Sequence, residues 1–511
     1  MSVTRRNRTR EGRRERRAGE RVDPEVARVT QPVHDLPAYE MVSEEGIEKL
    51  QACTLEVLSD IGIDFYDDEA QSILKAHGVR MEGDTAFFDR EMVAEYLALA
   101  PSQFQQRSRN EQRWVTVGGN NVCFAPVYGP PFVTSRDRGR REATLQDFQN
   151  FVKMAYSTPY LHHSGGTIVE PTDEPVHTRH LDMVYSHIKY SDKPFMGSVT
   201  SAVNAADSVR LAELLYGEDE IRETPGLLSL INISSPRRLD DRMLGAMKVY
   251  AKAKQALMIT PFVFSGAMGP AAVAGTVVQI NAEALAGIIF TQMVNPGTPC
   301  VFGAFQTNID LQSGAPVFGS PESQIALFTL GQLARRHGLP YRSGGMFSSA
   351  KIPDAQAAYE SLMVMLPAIL GKVHFILHSA GWLEGGLTAG YEKFVLDLEI
   401  LGMFHTFFKG LDMSENGLAM ESLRTVPPDG HHLGTPHTLA NFRSAFFRSE
   451  LFDYNSYEQW AEEGARDVYT RAGETYKRML KEYQPPALDP GIDDALKEFV
   501  ERRKQEIEPE Y

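Results

Sequence analysis

The sequence predicts an α/β protein whose main domain is a (β/α)8 TIM-type barrel, with a helical N-terminal subdomain, a small β insertion and a helical C-terminal extension. From Thr144 onward, strand-like runs alternate with helical patterns seven or eight times. That alternation is typical of parallel strands joined by crossover helices. A doubly wound sheet is disfavoured because no GxGxxG motif follows a first strand. We therefore expect one barrel with additional elements.

The composition is that of an ordinary soluble, enzyme-sized protein. The chain has 511 residues and a formal net charge of −15, so we expect no general basic field that would attract nucleic acid. Cys53, Cys123 and Cys300 stand far apart without a CxxC motif, which argues against a disulfide framework or a structural zinc site. No apolar run reaches the roughly 18 residues that a membrane span needs. We expect a soluble protein of the reducing cytoplasm.

Two regions are expected before the barrel. Residues 1–42 begin with an arginine-rich segment that no apolar stretch follows, which predicts a disordered basic tail rather than a secretory signal. An arm that binds a polyanion is the alternative interpretation of this segment. Residues 43–143 contain helical patterns up to Pro101, then alternating β-formers around Gly118 and Gly119. They predict a helical subdomain followed by a β-hairpin or small sheet.

Residues 144–430 are expected to form the barrel. The predicted strands are His162–Glu170, Pro194–Thr200, Gly226–Ser235, Ala256–Phe264, Pro299–Asn308, Pro340–Gly345 and Val373–Ser379. Helical patterns lie between them. Residues 431–511 are expected to be a helical extension, and their aromatic density predicts that they pack onto the barrel.

The stretch from Pro340 to Leu362 is typical of a strand, a glycine loop and the start of a helix. In parallel α/β proteins, groups at the carboxyl end of such a strand face the ligand. Arg342 would end the strand, and Gly344 and Gly345 would let the backbone adopt positive φ or approach a ligand closely. An ordinary tight turn would also explain both glycines.

The chain lacks the motifs of the common catalytic machineries: it has no GxSxG elbow, no HExxH and no P-loop. Two histidine pairs, His177 with His180 and His374 with His378, have spacings that suit a metal, but no carboxylate or thiolate cluster accompanies them. Core or supporting roles are therefore favoured for these histidines. Lys351 could form a Schiff base as in barrel aldolases, or could be an ordinary capping or solvated lysine.

The remaining candidates are aromatic side chains and one cation. The aromatic candidates are Tyr128, Phe132, Phe305, Phe347 and Trp382, and the cation is Arg342. An aromatic box holds a quaternary ammonium group by cation–π attraction, worth about 2 kcal/mol or more when water is excluded. An arginine binds a carboxylate in bidentate geometry. Together they suit a betaine, although each ring taken singly would also suit a barrel core.

Four long segments give the chain a resemblance to a known family. They are GRREATLQDFQNFVKMA, LARRHGLPYRSGGMFSSAKIPDAQAAYES, GWLEGGLTAGYEKFVLDLEILGMF and GHHLGTPHTLANFRSAFFRSELFDYNSYEQW. Over about residues 43–484 the chain resembles the trimethylamine methyltransferase (MttB) family, and more closely its members without pyrrolysine, which include glycine betaine demethylases.

The resemblance implies a barrel whose mouth receives a methylated amine and a cognate corrinoid protein, whose reduced cobalt takes the methyl group. The resemblance implies that the corrinoid is carried by that separate protein, so no tightly bound cofactor and no metal are expected. Where the trimethylamine enzymes are thought to present the amine with pyrrolysine, this chain has the loop Ser343-Gly344-Gly345. A quaternary amine needs no such help because its leaving group is neutral, and glycine would leave room for a bulkier substrate.

The resemblance also suggests roles for individual residues. Arg342 and His337 are expected near the anionic end of the substrate, and Gly344 and Gly345 are expected to shape the pocket. Glu384 is expected to line the mouth or to cap a helix. The cation-facing candidates are Tyr128, Phe305, Phe347 and Trp382.

The leading hypothesis is a methyltransferase that moves a methyl group from a quaternary amine of the betaine type to a corrinoid protein. The alternatives are a Schiff-base lyase that uses Lys351, and a protein that binds or senses a betaine without turnover. The sequence leaves the identity of the betaine and the oligomeric state open, although exposed helical faces of barrels commonly pair.

Overall fold

The computed structural model describes residues 30–508 of a mixed α/β protein. The α-helices, α1 to α18 in chain order, are Glu44–Glu56, Asp68–Ala76, Arg90–Leu97, Leu145–Ser157, Arg179–Tyr190, Ala202–Tyr216, Glu218–Glu223, Asp241–Lys252, Val273–Val294, Pro321–Arg336, Ala355–Leu370, Tyr391–Phe407, Glu415–Leu418, Met420–Thr425, Pro436–Asn441, Tyr457–Glu462, Val468–Glu482 and Pro490–Glu506. The strands, β1 to β18, are Ile63–Phe65, Arg80–Glu82, Thr85–Phe87, Gln103–Gln106, Val115–Gly118, Cys123–Phe124, Phe132–Ser135, Gly139–Glu142, Leu228–Ile233, Arg238–Leu239, Ala256–Ser265, Cys300–Gly303, Phe305–Ile309, Pro316–Val317, Tyr341–Arg342, Phe375–Ile376, Trp382–Leu383 and Thr388–Gly390.

Parallel strands form the centre of the protein. Six of them pair in the order β9-β11-β12-β15-β16-β6. Residues 162–165 bond to β6 on one side and to residues 194–196 on the other, and Phe195 pairs in parallel with Leu227 beside β9. The backbone bonds therefore pass through eight segments and return to the first. A helix follows each segment along the chain: α4, α5, α6, α8, α9, α10, α11 and α12.

The strands have an inner and an outer apolar face. The side chains that meet on the inner face include Leu228, Leu230, Met258, Val301 and Leu377, whereas a larger cluster fills the space between strands and helices. Period-2 alternation along each strand produces this division. Phe104, Val115 and Val117 of β4 and β5 also join the inner cluster, so this hairpin closes the amino end. At the carboxyl end Asn232, which follows Leu228 and Leu230 in alternation, is exposed, so the interior is open there.

Helix α9 contradicts the expectation that no apolar segment is long enough to span a membrane. Val273–Val294 is long and apolar enough to cross a membrane by length and composition, although Gln279, Asn281 and Glu283 interrupt it. Most of its apolar window, 72%, is buried inside the protein. A helix that is apolar on all sides and buried is a core helix.

The N-terminal part differs from the sequence prediction in three places. Residues 30–42 are not a free tail, because the amides of Met41 and Val42 donate to Gln332 Oε1, while residues 1–29 lie outside the described residues. The region predicted to be helical also contains the antiparallel strands β1, β2 and β3. Finally, β5 and β6 do not form the predicted hairpin: β5 pairs with β4, and β6 pairs in parallel with β16. Cys123 and Phe124 are both buried, because the strand they form is covered on its two faces.

The C-terminal extension packs on the body only in part. The rings of Tyr391 and Tyr476 lie 4.9 Å apart between α12 and α17, and Arg503 of α18 donates to Asp207. In contrast, Phe442 and Phe446 are exposed, although the aromatic density of their segment predicted packing onto the body. That part of the prediction is wrong, because aromatic content does not distinguish a side chain that packs on its own chain from one left on the surface.

A buried ion pair connects α12 to the loops at the carboxyl ends of β15 and β16. Lys393 Nζ donates to both carboxylate oxygens of Asp397, at 2.5 and 2.7 Å, and to the carbonyl of Met346 at 3.4 Å. Asp397 also accepts from the amide of Gly381. Burial raises the pKa of Asp397 to about 6, against the lowering effect of Lys393. Both loops are therefore anchored to one helix.

We expect Asp397→Ala to destabilise the protein by about 3–5 kcal/mol, because it leaves the Lys393 ammonium buried without its partner. The double variant Lys393→Met, Asp397→Leu should recover most of that loss, since it removes both charges. Urea unfolding followed by circular dichroism measures the difference.

The control is Asp137→Ala, which breaks an ion pair with Lys477 whose side chains are both about half exposed. That pair should contribute no more than about 1 kcal/mol. Equal losses for Asp397→Ala and Asp137→Ala would contradict the anchoring role.

Candidate substrate site at the carboxyl ends of the strands

Three of the predicted aromatic residues lie together at the carboxyl ends of the strands. The ring centroid of Phe347 is 4.5 Å from that of Phe305 and 4.7 Å from that of Trp382. Phe318 joins them, 5.5 Å from Trp382, and Phe262 stacks on Phe305 at 4.6 Å. Sequence analysis missed Phe318 because β14, which precedes it, is only two residues long, and missed Phe262 because it lies within the long strand β11.

Arg342 is a buried cation without a counter-charge. Its neighbour Tyr341 points outward, where its hydroxyl donates to the carbonyl of Leu327 in α10, so alternation directs Arg342 to the inner face. The side chain is 3% exposed, and its Nε has no hydrogen-bond partner among the described residues. None of the ion pairs within residues 30–508 includes it, and burial lowers its pKa to about 10. Because buried charges are normally paired, this arrangement indicates that an anionic group completes the site.

His378 lies beside Arg342 and presents a second donor. Its Nδ1 accepts the amide N–H of Tyr128 at 3.2 Å, so the neutral ring carries its proton on Nε2. Burial, and then the charge of Arg342, hold the pKa of His378 well below its ordinary value, so the ring is neutral. Its backbone is left-handed, with φ of 60°, and it is held by the amide of Met346. Within residues 30–508 no acceptor is found for Nε2–H.

Trp382 presents a third donor. Its ring centroid is 4.5 Å from that of His378, and its indole Nε1 is buried without an acceptor in the described chain. Arg342 Nε and Trp382 Nε1 are thus buried donors that no described oxygen accepts, and His378 adds a third N–H beside them. Buried donors are rarely left unpaired in a native protein. A carboxylate offers acceptor positions for all three.

Tyr128 lies apart from the aromatic cluster. It packs against the inner cluster that includes Met196, and only its amide reaches His378. Burial raises the pKa of its phenol to about 12, so the hydroxyl is protonated at neutral pH. Tyr128 therefore supports His378 directly and presents no charge to the site.

Gly344 and Gly345 have the positive φ angles that the sequence predicts, +69° and +140°. A Cβ at position 344 would lie 2.5 Å from Cβ of Ala368, and one at position 345 would lie 2.5 Å from the carbonyl oxygen of Leu377. The expectation that glycine leaves room for a larger substrate is therefore wrong. Both glycines allow close packing of the loop against α11 and the segment after β16.

The structure does not bring three other candidates into this cluster. His337 ends helix α10, before β15 begins, and its Nε2 lies 3.3 Å from Asn281 Oδ1. Glu384 accepts from Arg140 and Thr388; although burial opposes it, these bonds lower the pKa of the carboxyl group. Lys351 is exposed and donates to the carbonyl of Ser349.

One member of each histidine pair is bound to other groups of the protein. His180 Nε2 lies 3.0 Å from a carboxylate oxygen of Asp207, and His374 binds backbone groups of Gly119 and Tyr341. Across residues 30–508, no group of three or more His, Cys, Asp or Glu side chains has the arrangement of a metal site.

A small cavity lies behind the aromatic cluster, between the strands and helices α10 and α11. Phe305, Phe347, Gln306 and Gln324 line it, and Oε1 of each glutamine has no partner there. The space open to the centre of a water molecule is about 10 Å³. That is room for about one water molecule and far too little for a quaternary amine.

The sequence is similar to those of known proteins over nearly the whole chain. The family model described as trimethylamine methyltransferase (MTTB) matches residues 6–508. The chain is 42% identical over 473 residues to the glycine betaine methyltransferase of Desulfitobacterium hafniense strain Y51, covering 92% of this chain and 98% of that protein. It is 28% identical over 493 residues to the proline betaine:corrinoid methyltransferase of Eubacterium limosum, covering 90% of this chain and 96% of that protein.

A crystal structure of the Methanosarcina barkeri monomethylamine methyltransferase (MtmB) superposes with a TM-score of 0.47 at 10% identity, covering 88% of this chain and 90% of that chain. The chain belongs to the trimethylamine methyltransferase (MttB) family.

Proposed function

We propose that this protein transfers a methyl group from a betaine, a quaternary amine that carries a carboxylate, to the corrinoid of a cognate partner protein. The observation that carries the proposal is the buried, unpaired Arg342 beside an aromatic cluster. The two betaine-specific relatives support the same substrate class.

We infer that the circuit of eight parallel segments is a closed (β/α)8 barrel of the TIM type. In such barrels the active site is at the carboxyl ends of the strands. Arg342, His378 and Trp382 all follow or end strands at that face. The exposed Asn232 marks the mouth through which substrate enters.

The two ends of a betaine match the two parts of the site. The carboxylate accepts hydrogen bonds from Arg342, His378 and Trp382, and pairs with the one buried charge of the set. The quaternary ammonium group lies against the aromatic cluster that contains Phe305 and Phe347, where cation–π attraction replaces part of its hydration. Because all of these side chains are buried, both contacts form with water excluded.

A corrinoid on a partner protein supplies reduced cobalt, Co(I), as the nucleophile towards the methyl carbon. The open mouth beside Asn232 suits delivery from a separate protein. The residues of this chain hold the methyl group towards that mouth and exclude water. The leaving amine is already neutral, so no residue has to protonate it, which agrees with a site that offers fixed donors and no titrating acid. Positioning and desolvation are the contributions of the protein.

The lyase alternative has little structural support. A Schiff-base lysine needs a desolvated amine close to the substrate, whereas Lys351 is exposed. The buried lysines are otherwise engaged: Lys193 donates to three carbonyls, Lys248 pairs with Asp67, and Lys393 pairs with Asp397. A betaine-binding protein without turnover would use the same site, and the assay below separates it from an enzyme.

We expect the protein to consume Co(I) cobalamin when a betaine is added, and to leave it unchanged with trimethylamine. The measurement follows the Co(I) absorbance under anaerobic conditions with glycine betaine, proline betaine, carnitine and trimethylamine in parallel. Binding of one betaine without any change in the spectrum, with a cognate corrinoid protein also present, would indicate a sensor. Turnover of trimethylamine would contradict the role given to the carboxylate.

Arg342→Gln should raise the Kd for the active betaine roughly 10- to 100-fold, because a charge-assisted bond to a carboxylate contributes about 1.5–3 kcal/mol. Binding of tetramethylammonium, which has no carboxylate, should be unchanged. The melting temperature should stay the same or rise, since the variant removes an unpaired buried charge. Calorimetric titration and thermal melting measure these effects.

Lys351→Met is the matched control for Arg342→Gln, and it should leave betaine turnover unchanged. Loss of turnover in Lys351→Met would revive the lyase alternative. Loss of tetramethylammonium binding in Arg342→Gln would show that Arg342 maintains the fold of the site rather than recognising the carboxylate.

Betaine binding should be independent of pH from about pH 6 to 8, because His378 stays neutral over that range. The pKa of His378 is lower in the folded protein than in the unfolded chain. The stability that this difference provides is therefore complete above the ordinary histidine pKa and declines as the pH falls below about 6.5. Titration calorimetry at several pH values tests the first part. A step in affinity near pH 6.5 that disappears in His378→Gln would contradict the neutral assignment.

A further inference from the structure

Residues 409–446 form an arm that has almost no buried surface. Ser422 is its one buried residue. Nine large apolar side chains between Leu411 and Phe446 are about half exposed or more; Leu411 is 83% and Phe446 is 87% exposed. Isolated apolar residues are common on protein surfaces, but a concentration of this size marks an interaction site.

Polar bonds within the arm hold its shape. Asn416 and Asn441 bond to each other through their side-chain amides, and His437 Nε2 lies 2.9 Å from the carbonyl of Asn416. Ser422 Oγ lies 2.8 Å from Nδ1 of His432. These bonds fix helices α13, α14 and α15 relative to one another without a hydrophobic core. Such a segment needs an outside surface to bury its apolar side chains.

The outer face of helix α11 carries a second exposed apolar surface. Tyr359, Leu362, Met363 and Leu366 follow the i, i+3, i+4, i+7 spacing of one helix face, and all four are exposed. Tyr359 is 75% exposed. We call these four residues the α11 stripe.

We propose that the arm of one copy of this chain packs on the α11 stripe of a second copy. The same contact repeated in the opposite direction gives a two-fold dimer, in which each chain donates an arm and receives one. The chain itself thus supplies both apolar surfaces of the interface.

The size of the exposed surface supports a second copy as the occupant. Nine side chains that are half to almost fully exposed supply on the order of 800 Å², which is what each partner contributes to a stable interface. The α11 stripe adds four more. Residues 1–29, the other segment of the chain that could cover them, are rich in arginine and have no large apolar side chain except Met1 and a few valines.

The position of the arm argues against the corrinoid protein as its partner. The arm follows α12, which begins at Tyr391 beside β18 and ends at Phe407, two residues after His405. His405 Nε2 lies 3.1 Å from Nε2 of His162, at the start of the segment 162–165, so the arm leaves from the amino end of the strands. The corrinoid has to reach the mouth, at the carboxyl end. The apolar side chains of the arm need to be buried at all times, which suits a permanent subunit better than a transiently bound partner.

The test compares the mass of the full chain in solution, by sedimentation velocity over a range of concentrations, with that of surface variants. We expect a dimer or a multiple of it for the unaltered chain. Leu439→Glu with Phe446→Glu in the arm, and Tyr359→Glu with Met363→Glu in the stripe, should each weaken association at least 100-fold. Val176→Glu, at an exposed valine outside both surfaces, is the control and should change nothing.

Cross-linking shows whether the two surfaces meet. A chain with Tyr359→Cys is mixed with a chain with Leu439→Cys and treated with a bifunctional maleimide. A cross-link between the two different chains supports the exchange of arms. A single-chain mass at every concentration, a dimer that survives both pairs of substitutions, or an arm that binds only the corrinoid protein would each overturn the proposal.

Discussion

A guanidinium held in an apolar interior without a counter-ion is the constraint on which the site depends. Removing a charge from water costs several kcal/mol unless another charge or a set of hydrogen bonds replaces the hydration. Arg342 has neither within the described chain, and its neighbours His378 and Trp382 contribute further donors rather than acceptors. In the proposed function, the carboxylate of the substrate supplies the negative charge that Arg342 lacks.

The surrounding structure maintains this arrangement in the absence of ligand. The amide of Tyr128 fixes the ring of His378, and the amide of Met346 fixes its backbone. Gly344 and Gly345 allow the loop after β15 to pack closely against Ala368 and the backbone of Leu377. The Lys393–Asp397 pair anchors the same loops to α12. Rigid support of this kind lets a site work by positioning, which is the main requirement of a displacement that needs no proton transfer.

Several features of the site were accessible from the sequence. The alternation of strands and helices predicted which segments lie at the carboxyl ends, and therefore that Arg342, Phe305, Phe347 and Trp382 belong to one region. Other features were not accessible. His337 is four residues from Tyr341 in the chain but lies before the strand begins, so strand direction separates it from Arg342. Phe318 enters the cluster from a two-residue strand that is too short for any periodic pattern to reveal.

The sequence by itself determined the family, the alternation of strands and helices after Thr144 and the residue types available for binding, because these depend on local pattern and on long matching segments. Only the tertiary structure decided which charges are paired. Nothing in the sequence distinguishes Lys393 from Arg342 as a paired or unpaired cation. In the structure, Lys393 has a carboxylate oxygen of Asp397 at 2.7 Å, whereas Arg342 has no anion beside it. It also decided that the aromatic residues of the arm lie on the surface, whereas Phe305 and Phe347 lie inside. Pairing and burial depend on contacts between residues distant in the chain, which no local pattern encodes.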